Sequence, residues 1–308
     1  MRPRDRELYD RIRQGLSASI RPLPGVENAA NRNCLIEQIL ESVHRVKFVS
    51  VILDRPIDDR RADPNDNLFD PLKGAIVHLR RGQIDEAYWL VFFFVHFGKH
   101  SRGGWRYARE VYGRLNQGGL WNWASTSQNP TGFRLWLDQN QAQLRRAGGG
   151  FGNHRKYQSL SAVSPTGTGE AFETYVRWIG AARSHHAYFQ DIIEMCGDDP
   201  RRSFSYLYDS MNAVASFGRT ARFDYLTMVG KLGLANIEPG SAYMGAATGP
   251  VTGARLLFTG NRNAGISTAI LDGYIAELDR HLQVGMQVLE DALCNWQKSP
   301  NRFTAFRG

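Results

Sequence analysis

A chain of 308 residues, 42 % hydrophobic and 22 % charged with mean hydropathy −0.40, carries enough apolar material for one large domain or two lobes. Those figures exclude a disordered chain, a collagen and a coiled coil. The formal net charge is +8, and only six of the 38 basic residues are lysine, which leaves 32 arginines; the excess suits a polyanionic partner, and a GC-rich coding bias explains it equally well.

The amino terminus, MRPRDRELYDRIRQ, is charged where a secretion signal needs an apolar stretch. The longest apolar run, YWLVFFFV from Tyr88 to Val95, is too short to span a bilayer, so a cytoplasmic protein without membrane contact is expected. Residues 33–47 set Leu35, Ile36, Ile39, Leu40 and Val43 on one stripe at three-and-four spacing, which predicts an amphipathic helix. Residues 48–53 (FVSVIL) are the one strand-like stretch and read equally as a helix end. Residues 84–97, 133–145, 171–182, 204–217 and 223–232 repeat the helical period. An all-α protein is expected, with no internal repeat or long linker, as one continuous fold of two lobes at 1–150 and 151–308.

Cys34, Cys196 and Cys294 are odd in number, far apart and without CxxC spacing, so they read as buried thiols. His96 and His100 stand one helical turn apart, but Gly98 lies between them and no HExxH pattern accompanies them. They read as structural, and neither a metal nor a cofactor is expected.

Two glycine-rich loops carry chemistry. In GGGFGNHRKY (148–157) a glycine run delivers Asn153, His154, Arg155 and Lys156 together, either as a solvated basic turn or as a phosphate or substrate contact. In GSAYMGAATGPVTG (240–253) the pattern is a short helix at 242–247, a tight turn at 248–253 and a second helix from Ala254. That helix-hairpin-helix outline suits DNA, because glycines let backbone N–H groups approach a phosphate. Gly249, Val251, Thr252 and Gly253 would then meet the backbone. Further along, Asp272 follows Gly249 by 23 positions and reads either as a helix cap or as a catalytic carboxylate. Asp224, close to Arg219 and Arg222, is a second acidic candidate, read first as an ion pair with one of them.

Five strings together resemble the alpha-glutamyl/putrescinyl thymine pyrophosphorylase family, clade 3: HFGK (96–99), FGNHRKY (151–157), SFGRTARFDYLTMVGKLGL (216–234), YMGAATGPVTGARLLF (243–258) and EDALCNWQK (290–298). This family looks like a divergent branch of the helix-hairpin-helix DNA glycosylases and is associated with hypermodified pyrimidines in bacteriophage DNA. The resemblance implies a two-lobed helical fold of that type, double-stranded phage DNA as partner, a flipped base, and Asp272 as the carboxylate facing the sugar. Arg219, Lys231 and Arg255 would join the hairpin on the phosphates, with residues 153–156 at the substrate. One or two of Trp105, Tyr107, Trp121, Trp123, Phe133 and Trp136 would stack on an enlarged base while the rest fill the core.

The sequence departs from the glycosylase pattern at the hairpin, where Ala247, Thr248, Gly249, Pro250 and Val251 leave the second glycine displaced or missing. It also departs at the Schiff-base position, where Thr252, Gly253, Ala254 and Arg255 offer no lysine. The leading expectation is a monomeric, monofunctional DNA glycosylase that removes a bulky modified pyrimidine, such as glucosylated hydroxymethylcytosine, in antiphage defence. Alternatives are a thymine-hypermodification enzyme that replaces pyrophosphate on an activated base with an amine or amino acid, and a non-catalytic reader of modified DNA.

Overall fold

The computed structural model describes residues 3–305. In chain order its helices begin with α1 (Pro3–Ser17), α2 (Ala29–Leu53), α3 (Pro71–Arg80), α4 (Ile84–Phe97), α5 (Arg106–Tyr112), α6 (Trp123–Gln128) and α7 (Pro130–Arg146). They continue with α8 (Thr168–Ile179), α9 (His185–Met195), α10 (Pro200–Ser210), α11 (Arg219–Lys231), α12 (Gly249–Thr259), α13 (Thr268–Leu282) and α14 (Met286–Trp296). No strand occurs among the described residues, so the protein is all-α as the periodicity predicts, and residues 48–53 simply finish α2.

Local chemistry sets several boundaries. Asp70, Asn129 and Asp199 accept backbone N–H bonds ahead of Pro71, Pro130 and Pro200, which pairs a side-chain cap with a proline at a position needing no N–H donor. The helix expected over 171–182 stops at Ile179 because Gly180 has φ 89°. That expected over 204–217 ends at Ser210 in a 3₁₀ turn, Met211–Ala213. No described helix is long and apolar enough to cross a membrane.

The chain divides into two compact units, and the division differs from the expected boundary at residue 150. The first unit joins residues up to Val51 with those from Pro239 onward; the second is Ile52–Glu238. Apolar pairing explains the discontinuity. The stripe Leu35, Ile36, Ile39, Leu40 and Val43 of α2 is buried in one cluster with Ile12 of α1, Leu257 of α12, Ile275 of α13 and Trp296 of α14. Each such side chain contributes about 1.5–3 kcal/mol when fully buried, so the stripe selects partners remote in sequence. Cys34 lies in this core, where burial and then the Glu37 charge push its thiol up to about 11.

The second unit is built on α4, whose residues Ala87–Phe93 are wholly buried because apolar side chains surround the helix on all faces. Trp89 stacks on Phe92 and meets Phe93 and Phe172 edge-on, while its Nε1–H donates to the Trp121 carbonyl at 2.9 Å. Trp121, Trp123, Phe133 and Trp136 are buried in this unit; Trp105 and Tyr107 are half-buried. A buried polar chain crosses the aromatics. Asp85 accepts from the His185 backbone N–H at 2.6 Å and meets its Nδ1 at 3.0 Å; His185 Nε2 meets the Tyr175 hydroxyl, which bonds the Tyr225 hydroxyl at 2.6 Å.

Candidate functional site

In the first unit, residues 242–247 form a loop rather than a helix, and the turn expected at 248–253 is the first turn of α12. Pro250 occupies the opening turn of that helix, where its missing N–H is harmless. Neither glycine adopts a positive φ. A Cβ on Gly249 would lie 2.6 Å from Cys294 Sγ, and one on Gly253 would lie 2.3 Å from the Leu293 carbonyl oxygen, so these residues let α12 approach α14. Val251 and Gly253 are buried in the packing of α12, and Gly249, Thr252 and Arg255 are half-buried. Arg255 donates to the Ile266 carbonyl at 3.3 Å.

Asp272 lies on the second turn of α13, half-buried, and does not cap it, since Ser267 accepts the Ile270 N–H. Its carboxylate instead receives the Ser241 hydroxyl at 2.8 Å and the Met244 N–H at 3.0 and 3.2 Å. The candidate acid thereby holds the loop that leads into α12. In that loop Tyr243 and Ala246 have φ 50° and 58°, a conformation costly for residues with a Cβ. Ser241 was not legible as a partner of Asp272; its signal is the local turn in which its Oγ also accepts the Tyr243 N–H at 2.9 Å.

The second unit gathers three of the sequence strings. Arg155, buried at 8 % exposure, donates through Nε to the Val95 carbonyl at 2.7 Å and through Nη2 to Asp224 Oδ2 at 2.8 Å. Asp224 is therefore ion-paired, but with Arg155 from a distant loop in place of the expected Arg219 or Arg222. Arg222 donates to the Tyr208 carbonyl and lies over its ring, and Arg219 is buried with its guanidinium 5.1 Å from the Phe223 centroid. Lys231 is half-buried at the end of α11. Phe217 stacks on Phe92 and, more distantly, on His96.

His96 is buried on α4, whereas His100 lies beyond Gly98 in a turn where its Nδ1 accepts the Gly103 N–H at 2.9 Å. The tautomer of His96 follows from its partner. Thr168 gives its single hydroxyl proton to the Ser159 carbonyl at 2.8 Å, so the 3.0 Å contact with His96 requires the imidazole Nε2 to donate. Nδ1 is then a buried acceptor with no hydrogen-bond partner. Burial foremost, and the Arg155 charge next, push the His96 pKa down to about 3.

The glycine run at 148–150 is used for packing on its own chain. A Cβ at Gly149 would lie 2.1 Å from the Tyr107 ring and one at Gly150 2.7 Å from the His100 ring; Gly152 donates to the Phe97 carbonyl at 2.8 Å. Asn153, His154 and Lys156 remain exposed around buried Arg155. Sequence reasoning passed over Tyr157, which directly follows the basic run and is 89 % exposed.

No curated protein and no solved structure matches the chain. The model of one family matches residues 30–308, which takes in all five strings and both candidate carboxylates: the chain belongs to the alpha-glutamyl/putrescinyl thymine pyrophosphorylase family, clade 3.

Proposed function

We propose that the protein is a monofunctional DNA glycosylase that excises a bulky hypermodified pyrimidine from bacteriophage DNA and leaves an abasic site. The family's name is that of an enzyme acting on modified DNA bases, and the glycosylase reading is the finer step. The observation that carries it is the fixed carboxylate of Asp272, positioned by the Ser241 hydroxyl and the Met244 N–H on the strained loop before α12. Breaking the base–sugar bond makes deoxyribose oxocarbenium-like, and a carboxylate already held in place stabilises that charge without reorganising. The base leaves with the bond's electron pair, water adds at C1′, and the proton that water loses ends on the departed base. The target must first leave the stack, at a cost of a few kcal/mol that protein–DNA contacts offset.

The family name favours a second reading, in which an amine or amino acid attacks the methylene carbon of an activated base, pyrophosphate leaves with the bonding pair and the amine loses a proton. One incubation with DNAs bearing different modified pyrimidines divides the two. Free base with alkali-labile sites supports excision; released pyrophosphate with an intact, mass-shifted nucleoside supports substitution. Asp272→Asn preserves an acceptor for the Met244 N–H, so the variant is expected to fold, to bind DNA as before and to lose base release by roughly a hundredfold or more. Unchanged release removes Asp272 from the chemistry.

A further inference from the structure

The second unit carries a basic surface that the proposed chemistry does not use. Segments 99–106 (KHSRGGWR) and 145–157 (RRAGGGFGNHRKY) contain no acidic residue. Close contact joins them. A Cβ on Gly103 would lie 3.1 Å from the Gly148 carbonyl oxygen, Arg106 Nη1 donates to the Ala147 carbonyl at 2.8 Å, and Gly150 lies against the His100 ring. Lys99, Arg102, Arg106, Arg146 and Lys156 are all exposed, and none carries an ion pair among the described residues. Tyr157 stands at the end of this surface, 89 % exposed, with the Lys156 ammonium 5.1 Å from its ring centroid. Buried Arg155 anchors the loop from below through the Val95 carbonyl and Asp224, and the Gln158 N–H returns to the Arg155 carbonyl at 2.9 Å.

We propose that these two segments form a nucleic-acid-binding surface on which the basic side chains grip the sugar–phosphate chain and Tyr157 stacks on an unpaired base. An aromatic ring left in water beside uncompensated cations has the two elements of a single-strand platform, a π-face and a positive track. A base that has left its partner exposes the face such a ring takes; a fully paired duplex offers it only at the ends. The proposal rests on DNA as the partner of the function proposed above, and not on which bond is broken.

The test is fluorescence anisotropy of the full-length protein on labelled unmodified DNA, using one sequence as a paired duplex, as a duplex with one unpaired base, and as a single strand, across a salt series. Tyr157→Ala is expected to weaken binding to the unpaired and single-stranded forms about tenfold, as loss of one stacked base does, and the paired duplex less than about twofold. Tyr157→Phe, which keeps the ring, restores the affinity. Joint replacement of Arg102 and Lys156 by alanine weakens all three DNAs and lowers the salt slope by about one to two. Wild-type binding by Tyr157→Ala, or an unchanged slope in the double variant, overturns the proposal. If this pattern holds while no modified base is processed, the glycosylase reading fails and the binding surface stands.

Discussion

At 8 % exposure the Arg155 guanidinium needs acceptors of its own, and it finds three: the Val95 and His154 carbonyls and the Asp224 carboxylate. Its partner is less enclosed, with 41 % of the Asp224 side chain exposed, so water shares in solvating that charge. The two ends of the pair should therefore respond unequally. Arg155→Ala empties a buried site and strands the Val95 carbonyl, at a cost of about 3–5 kcal/mol. Asp224→Asn keeps an oxygen acceptor and costs about 1–2 kcal/mol. Urea unfolding of the two variants measures the difference, and equal losses would mean that buried Arg155 depends on the Asp224 charge itself and not on an oxygen acceptor alone. Asp224 was also an acidic candidate for chemistry; if Asp224→Asn loses base processing out of proportion to its stability, the carboxylate acts on substrate as well as on Arg155.

The glycines of α12 give a sharper contrast at the scale of a helix. Gly253→Ala places a methyl group 2.3 Å from the Leu293 carbonyl oxygen, which is backbone and has no rotamer to change, so α12 and α14 must separate at a cost of at least about 1–3 kcal/mol. Gly273→Ala, on α13, meets nothing within 4 Å and removes a flexible residue from a helix interior, for a gain of about 0.4–1 kcal/mol. Thermal unfolding should move the two variants in opposite directions, and destabilisation by both would contradict the packing account. This is also where sequence reading stopped. The buried stripe of α2 was legible because periodicity reports which face is apolar, and α4 was legible as a continuous apolar run within a helical stretch. Glycine has two uses, bending a chain and admitting a neighbour, and GPVTG alone does not distinguish them. The string looked like a hairpin, and the deciding fact is Leu293 and Cys294, some forty positions downstream. Likewise the Arg155–Asp224 pair spans 69 positions, and local spacing pointed to Arg219 and Arg222 instead.

For the whole molecule, two buried groups with opposite shifts shape stability against pH. Burial raises the Glu86 pKa from 4.5 to about 7, against the Tyr112 hydroxyl and Trp123 N–H that its oxygens accept at 2.7 and 2.8 Å. The folded state favours its neutral form, so that contribution is complete below pH 4.5 and is lost as pH rises through about 7. His96 runs the other way. Its pKa falls from 6.5 to about 3, so its contribution is complete above pH 6.5 and is lost as pH falls through about 3. Each group gives a slope of about 1.4 kcal/mol per pH unit inside its window, and between pH 4.5 and 6.5 the two oppose each other. His185 and Asp85, both shifted down, add to the loss on the acid side in every variant, so differences from wild type isolate the pair. Glu86→Gln can still accept the Trp123 N–H and donate to the Tyr112 oxygen, and its stability relative to wild type should climb from pH 4.5 to 7. His96→Gln keeps an Nε2 donor for Thr168, and its stability relative to wild type should fall as pH rises from 3 to 6.5. Urea midpoints taken through this range test both, and difference curves that stay level would show that neither group is held in its neutral form by the fold.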